Sequence, residues 1–223
     1  LGVDVDKRDF GVWLHDVLRR FHEALQAEPQ AERAALMDAA AEQATQALGL
    51  RGGEFLPFAV AWPPLRDGYL HWLAGYEAET GAVFEQGEQR VRQTLGGVQL
   101  HGTFDRVDRL PNGAPMVIDY KTESPARTQA RLKAGGEDTQ LPFYALLTGH
   151  DAPQAAYLNV GEREPAKLYE PKELLAHAAA LHQGIESDLA RIAKGHPLRP
   201  LGEGGVCDWC AARGLCRKDF WQG

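Results

Sequence analysis

The chain has 223 residues, a formal net charge of −7 at pH 7, 44% hydrophobic residues and 25% charged ones. That composition suits one sizeable core with a helical annex, and no run of roughly eighteen apolar residues offers a membrane-spanning helix. The acidic balance argues against a freestanding high-affinity nucleic-acid binder, because phosphate contacts draw on Lys and Arg. The sequence opens on Leu1 without a charged-then-apolar signal, and reads as a piece of a longer cytoplasmic protein.

Taken in chain order, Asp9 to about Gln26 predicts an amphipathic helix. Phe10, Trp13, Leu14, Val17, Leu18, Phe21 and Leu25 recur at spacings of three and four. His15 sits at the border of that stripe. A lone helical histidine is ordinarily structural, and His22 carries no further signal. Residues 30–48 are Ala-rich and predict a second helix. Gly49, Gly52, Gly53 and Pro57 mark a loop over 49–57. Trp62-Pro63-Pro64 then opens a helix over 64–80, with Leu65, Tyr69, Trp72, Leu73 and Tyr76 as its buried stripe. Aromatics at that spacing read as core sooner than as a base-stacking platform. Ala82 to Leu95 predicts two loose strand segments interrupted at Gly87, with Glu88 near the chemistry but not assigned to it.

Residues 97–110 predict a strand that Pro111-Asn112-Gly113 folds back antiparallel onto a second strand over 116–122. Asp119 and Lys121 lie two apart on that strand and so share a face. Alone, such a pair reads sooner as a surface ion pair. Asp105 on the first strand changes the reading, because two acids from paired strands can converge on one hard cation. Asp108 falls on the opposite face and is expected to hold an arginine. A helix over about 137–149 places Gln140 and Tyr144 on one face, either solvated or able to hold Lys121 or a phosphate. Arg127, Arg131 and Lys133 add positive charge near Lys121, which serves DNA or is simply a solvated basic face.

Ala155 to Val160 predicts another strand, and Pro171 opens a helix to about Lys194. His177 and His182 fall five apart on that helix, which does not make a ligand pair. Cys207, Cys210 and Cys216 form C-x2-C-x5-C, a metal-ligand spacing. Zinc or an iron–sulfur cluster takes a fourth ligand, and the chain has no fourth cysteine. Ordinary reduced cysteines are the plain alternative.

The ordered series resembles the RecB-like branch of the PD-(D/E)XK nucleases. Gly102–Asp108 matches G-x-x-D-R-x-D, Asp119–Lys121 matches D-Y-K, and Gln140–Tyr144 matches Q-x-x-x-Y. His15–Phe21 matches the family's H-x-x-L-x-x-F helix. The resemblance implies an α/β, restriction-endonuclease-like core, a small mixed sheet flanked by helices with an N-terminal helical part. One domain is expected over 1–223, with its helical part at 1–81, its catalytic sheet at 82–160 and a C-terminal helix and cysteine tail at 161–223. It further implies that His15, Asp105, Asp119 and the Tyr120 carbonyl hold Mg²⁺ or Mn²⁺, that Lys121 acts on the attacking water, and that Gln140 and Tyr144 orient Lys121 or the DNA.

The tail is similar to that of AddB-type helicase–nuclease subunits, in which Cys207, Cys210 and Cys216 would join a 4Fe–4S cluster. The resemblance puts its first cysteine just ahead of Leu1. The implied activity is exonucleolytic hydrolysis of DNA, leaving a 5′-phosphate, in double-strand-break repair beside a helicase and away from any membrane. Two other readings remain. A silent DNA- or partner-binding module of the same fold is expected to lack Asp119 or Lys121, and both are present. A hydrolase of small phosphate esters would need a dedicated pocket, and no Gly-rich phosphate loop occurs.

Overall fold

Alternation of apolar and polar residues on the strands, against a helical period before and after them, sets out the architecture of the computed structural model. It describes residues 7–50, 52–133, 138–161, 165–197, 207 and 210–216. The helices α1 (Lys7–Ala27), α2 (Arg33–Ala47) and α3 (Gly52–Thr80) come first. They are followed by β1 (Val83–Leu95), β2 (Val98–Arg109) and β3 (Pro115–Lys121). Then α4 (Pro125–Lys133) and α5 (Gln140–Thr148) cross over to β4 (Gln154–Asn159) and β5 (Lys167–Tyr169). The chain continues in α6 (Leu174–Ala193) and α7 (Arg213–Cys216).

The five strands form one sheet in the order β1-β2-β3-β4-β5. All neighbours are antiparallel except β3 and β4, which run parallel. A parallel pair needs a long crossover, and α4 with α5 supplies it. The fold is therefore a mixed α/β sheet of the restriction-endonuclease-like kind. The chain divides into two compact units, residues 1–181 and 182–223, with the boundary inside α6. The first holds the whole sheet. The second holds the rest of α6, where His182 pairs with Glu186 at 3.2 Å, and α7.

One sheet face packs on the first three helices. Phe10, Trp13, Leu14, Val17, Leu18 and Phe21 of α1 are buried with Leu65, Tyr69 and Leu73 of α3. Met116, Ile118 and Tyr120 of β3 and Ala156 and Leu158 of β4 meet them from the sheet. Each such side chain contributes about 1.5–3 kcal/mol when fully buried. The other face of β3 carries Val117, Asp119 and Lys121, and lies toward α5. Gly102 makes that packing close, since a Cβ there would collide with Leu147 Cδ1 of α5. The β2–β3 turn closes with Gly113 N–H donating to the Leu110 carbonyl at 2.8 Å, and Gly113 takes φ +84°.

Three sequence expectations change. The loop expected over 49–57 is helical from Gly52 onward, and α3 runs through Pro63-Pro64. Proline costs a helix one hydrogen bond, and tertiary anchoring compensates. Trp62 Nε1 donates to Asp38 Oδ1 at 2.7 Å, and its ring stands edge-on to Trp13 with centroids 5.4 Å apart. The loose strand pair over 82–95 is one thirteen-residue strand, carrying its irregularity as a register shift between Phe84 and Gln86. The sheet does not end at residue 160, because Lys167–Tyr169 adds β5 to its edge.

Candidate active site

Strand register builds the site. Arg106 of β2 pairs with Ile118 of β3, so Asp105 and Asp119 stand opposite each other one step further along. On the other side of β2, Gly87 pairs with Arg106 and Gln89 with Phe104, which sets Glu88 beside Asp105. Three carboxylates thus lie in a cross-strand row on one face. Like charges directly opposite are destabilising in a sheet, so such a row needs a compensating charge. Glu88 also holds φ +48°, the one described non-glycine residue in the left-handed region.

Helix α1 brings the fourth group. His15 Nδ1 lies 3.6 Å from Asp105 Oδ2 and 3.8 Å from a Glu88 carboxylate oxygen. One ligand atom from each of His15, Glu88 and Asp105 falls within 4.8 Å of the others. Burial lowers the His15 pKa, partly offset by the charges of Asp119 and Glu88 and by the Tyr120 carbonyl. A neutral imidazole at pH 7 is the form that ligates metals. Asp105 Oδ2 accepts the Tyr120 backbone N–H at 2.9 Å. Even so, burial first and the charge of Asp119 second push Asp105 up to about 8. Burial likewise raises Asp119, with the Lys121 ammonium opposing it. Two buried carboxylates that resist ionising together are a donor set that a divalent cation fits.

Asp119 stands outside the tight His15–Glu88–Asp105 group, its carboxylate engaged on the α5 side. Its Oδ1 accepts from Gln140 Nε2 at 2.6 Å and from the Tyr144 hydroxyl at 3.3 Å. Its Oδ2 lies 2.7 Å from Lys121 Nζ, outside the direction of a well-formed hydrogen bond, and has no aligned partner although it is buried. That oxygen keeps a lone pair to offer. Lys121 Nζ in turn donates to Gln140 Oε1 at 2.9 Å. Burial raises the Tyr144 phenol pKa, which keeps the hydroxyl a donor.

All the strand and α5 residues singled out in the sequence, Asp105, Asp119, Lys121, Gln140 and Tyr144, therefore meet at one end of β3, with His15 beside them. Tyr120 contributes its backbone there while its side chain faces the core. Glu88 joins this group through the β1–β2 hairpin, whose register holds from Leu95–Val98 to Gly87–Arg106. Asp108 points away, gripping Arg106 with 2.7 and 2.8 Å hydrogen bonds. The basic stretch is less open than its composition suggests. Arg131 forks onto Glu123 at 2.6 and 3.0 Å and reaches Asp138 at 3.3 Å, while Arg127 also pairs with Glu123.

A groove of about 490 Å³ borders the site, lined among others by Arg131, Lys133, Asp138, Tyr157 and Lys172. A larger cavity of about 760 Å³ lies at the other end of β3 and β4, against Trp72, Tyr76, Met116 and Gln154, away from the carboxylates. In the second unit, Cys207 and Cys216 are half-buried and Cys210 is exposed. Cys210 N–H donates to the Cys207 carbonyl at 3.4 Å, and Cys216 ends α7. The chain has three cysteines, one fewer than a four-thiolate site takes.

A profile of the PD-(D/E)XK nuclease superfamily matches residues 1–217. This chain belongs to the PD-(D/E)XK nuclease superfamily, whose members are hydrolases that use divalent metals. No curated protein matches it. Among solved structures it is similar to the crystal structure of SSO0001, at 16% identity over 91% of this chain and 83% of that one, with a TM-score of 0.38. Among the described residues, no helix is long and apolar enough to cross a membrane.

Proposed function

We propose that this chain is a metal-dependent DNA exonuclease of the RecB-like branch, acting as the nuclease module of a cytoplasmic helicase–nuclease in double-strand-break repair. The observation that carries the reading is the carboxylate row of Glu88, Asp105 and Asp119, with the Lys121 ammonium fixed at one end of it. His15, Asp105 and Asp119, with the Tyr120 carbonyl, would hold Mg²⁺ or Mn²⁺, and Glu88 would complete the set. A bound divalent cation supplies Lewis acidity, making a water nucleophilic at neutral pH and offsetting charge on the phosphate.

The chain's own groups do the rest. Lys121 orients the attacking water and offers positive charge to a phosphoryl oxygen. Gln140 bridges Lys121 and Asp119, so that the ammonium cannot swing away when substrate enters. Tyr144 fixes the same Asp119 oxygen. A net charge of −7 supports delivery of the strand by a partner such as a helicase, since the chain itself attracts polyanions poorly. The AddB-type tail supports a 4Fe–4S cluster on Cys207, Cys210 and Cys216 with a fourth thiolate from elsewhere.

The test is cleavage of end-labelled single- and double-stranded DNA with Mg²⁺ or Mn²⁺, beside Asp119→Ala. Cutting by the wild type alone, as a ladder receding from an end, is the expected result. Equal cutting by Asp119→Ala would remove the proposed mechanism, and products cut internally would remove the exonuclease.

A further inference from the structure

Lys121 is held from a direction that the sequence motifs do not cover. Tyr157 is the register partner of Asp119 on the parallel strand β4, which puts its side chain on the same face. It is fully buried, and the Lys121 Nζ atom sits 4.8 Å from the centre of its ring. An ammonium over an aromatic face in a desolvated setting is held electrostatically. The ring is itself tethered. The Tyr157 hydroxyl donates to Asp138 Oδ1 at 2.7 Å and reaches Gln140 Oε1 at 3.4 Å. Burial pushes its phenol pKa upward, so the hydroxyl keeps the proton it donates.

Asp138 makes a second attachment with the same oxygen. Its Oδ1 accepts the Gln140 backbone N–H at 3.2 Å. That amide belongs to the first turn of α5, whose donors have no partner inside the helix, and Thr139 provides no side-chain cap. One carboxylate therefore anchors both the aromatic ring beneath Lys121 and the start of the helix whose first side chain receives Lys121. Arg131 steadies the other Asp138 oxygen at 3.3 Å while keeping its fork on Glu123.

We propose that Asp138 and Tyr157 are positioning residues for Lys121, acting through the Tyr157 ring face and the Gln140 amide and touching neither cation nor DNA. The inference rests on the nuclease reading for its kinetic consequence, but not for its geometry. The test uses the full chain and the variants Asp138→Ala, Asp138→Asn and Tyr157→Phe. In Asp138→Ala, kcat for DNA cleavage should fall on the order of a hundredfold, the scale for misplacing a reacting group, with KM and DNA affinity in Ca²⁺ unchanged. Asp138→Asn retains an oxygen acceptor and should recover most of that loss. Tyr157→Phe keeps the ring and should lose less than Asp138→Ala.

Nuclear magnetic resonance supplies a readout without catalysis. The Lys121 ε-methylene protons should resonate upfield in the wild type, shifted by the Tyr157 ring, and move toward ordinary lysine values in Asp138→Ala. An unshifted wild-type resonance, or an Asp138→Ala variant with unchanged kcat, would overturn the proposal. So would a loss of rate in Asp138→Asn as large as in Asp138→Ala. If the wild type cuts no DNA, the nuclease reading fails and the resonance alone decides the positioning claim. Should Asp138→Ala fail to fold, Asp138→Asn and Tyr157→Phe carry the test, with Tyr157→Phe expected to leave the ε-methylene shift in place.

Discussion

The two faces of β2 carry two polar clusters of opposite character. On the core face, Arg106 and Asp108 are almost fully buried, yet every charge is answered. Asp108 takes two guanidinium hydrogen bonds, and Arg106 also donates to the Tyr69 hydroxyl at 2.9 Å. The same guanidinium nitrogen lies 2.9 Å from His22 Nε2, which burial and the Arg106 charge hold well below its usual pKa. His22 Nε2 also lies 2.6 Å from the Tyr69 hydroxyl. Negative equals positive there, and the cluster ties α1 and α3 to the sheet. On the opposite face, Glu88, Asp105 and Asp119 outnumber Lys121, and burial raises the pKa of both Asp105 and Asp119, joined at Asp105 by the Asp119 charge. Alternate residues of one strand thus serve a closed structural network and an open one that lacks positive charge. The imbalance, more than the presence of acids, separates a cation site from a buried ion pair.

The largest effect expected on the open face is on chemistry. Asp119→Ala should cut DNA cleavage by about a thousandfold or more while the thermal midpoint is kept or raised, and Lys121→Ala should cut it as far while lowering the midpoint, because the acids lose the ammonium that opposes them. A variant that still cuts would erase the difference between the faces. On the closed face the largest effect is on stability. Asp108→Ala leaves the Arg106 guanidinium buried without its counter-charge, and urea unfolding should show a loss of about 3–5 kcal/mol. A loss under about 1 kcal/mol, the range of surface pairs, would mean that the network is not closed.

A smaller effect of opposite sign sharpens the contrast. Asp105→Asn retains an acceptor for the Tyr120 N–H and removes the repulsion with Asp119. The metal-free protein should gain about 1–2 kcal/mol, with each kcal/mol raising the midpoint by about 2–4 °C at this chain length. Differential scanning calorimetry in chelator checks it, and a destabilised Asp105→Asn would show that the row is not strained.

Much of the site was legible because its parts are local. Asp119 and Lys121 follow from strand alternation, Gln140 and Tyr144 from one helical turn, and the Asp105–Asp119 approach from a tight Pro-Asn-Gly turn that fixes the hairpin. What was not legible depends on long-range register. Glu88 reaches the row through its pairing with β2, where Gly87 meets Arg106 and Gln89 meets Phe104, and Tyr157 reaches Asp119 through a parallel pairing across two helices. Neither is visible within a window of ten residues. The start of α3 went unread for another reason: local Gly and Pro signals were overridden by the anchoring of Trp62 to Asp38 and Trp13.

The most direct test is the pH dependence of stability with and without a cation. The folded Asp105 carboxyl holds its proton up to about 8, whereas the unfolded one releases it near the ordinary aspartate value of about 3.9. The folded state therefore binds more protons between those limits, and metal-free stability should fall as pH rises through that window. Mn²⁺ replaces those protons, so its stabilisation should grow from pH 5 to pH 8. Thermal unfolding across that range, with Mn²⁺ or chelator, should show the two curves diverging in the wild type, and much less in Asp105→Asn. Parallel curves for the wild type, with no gain from Mn²⁺ at pH 8, would contradict a cation site on this face.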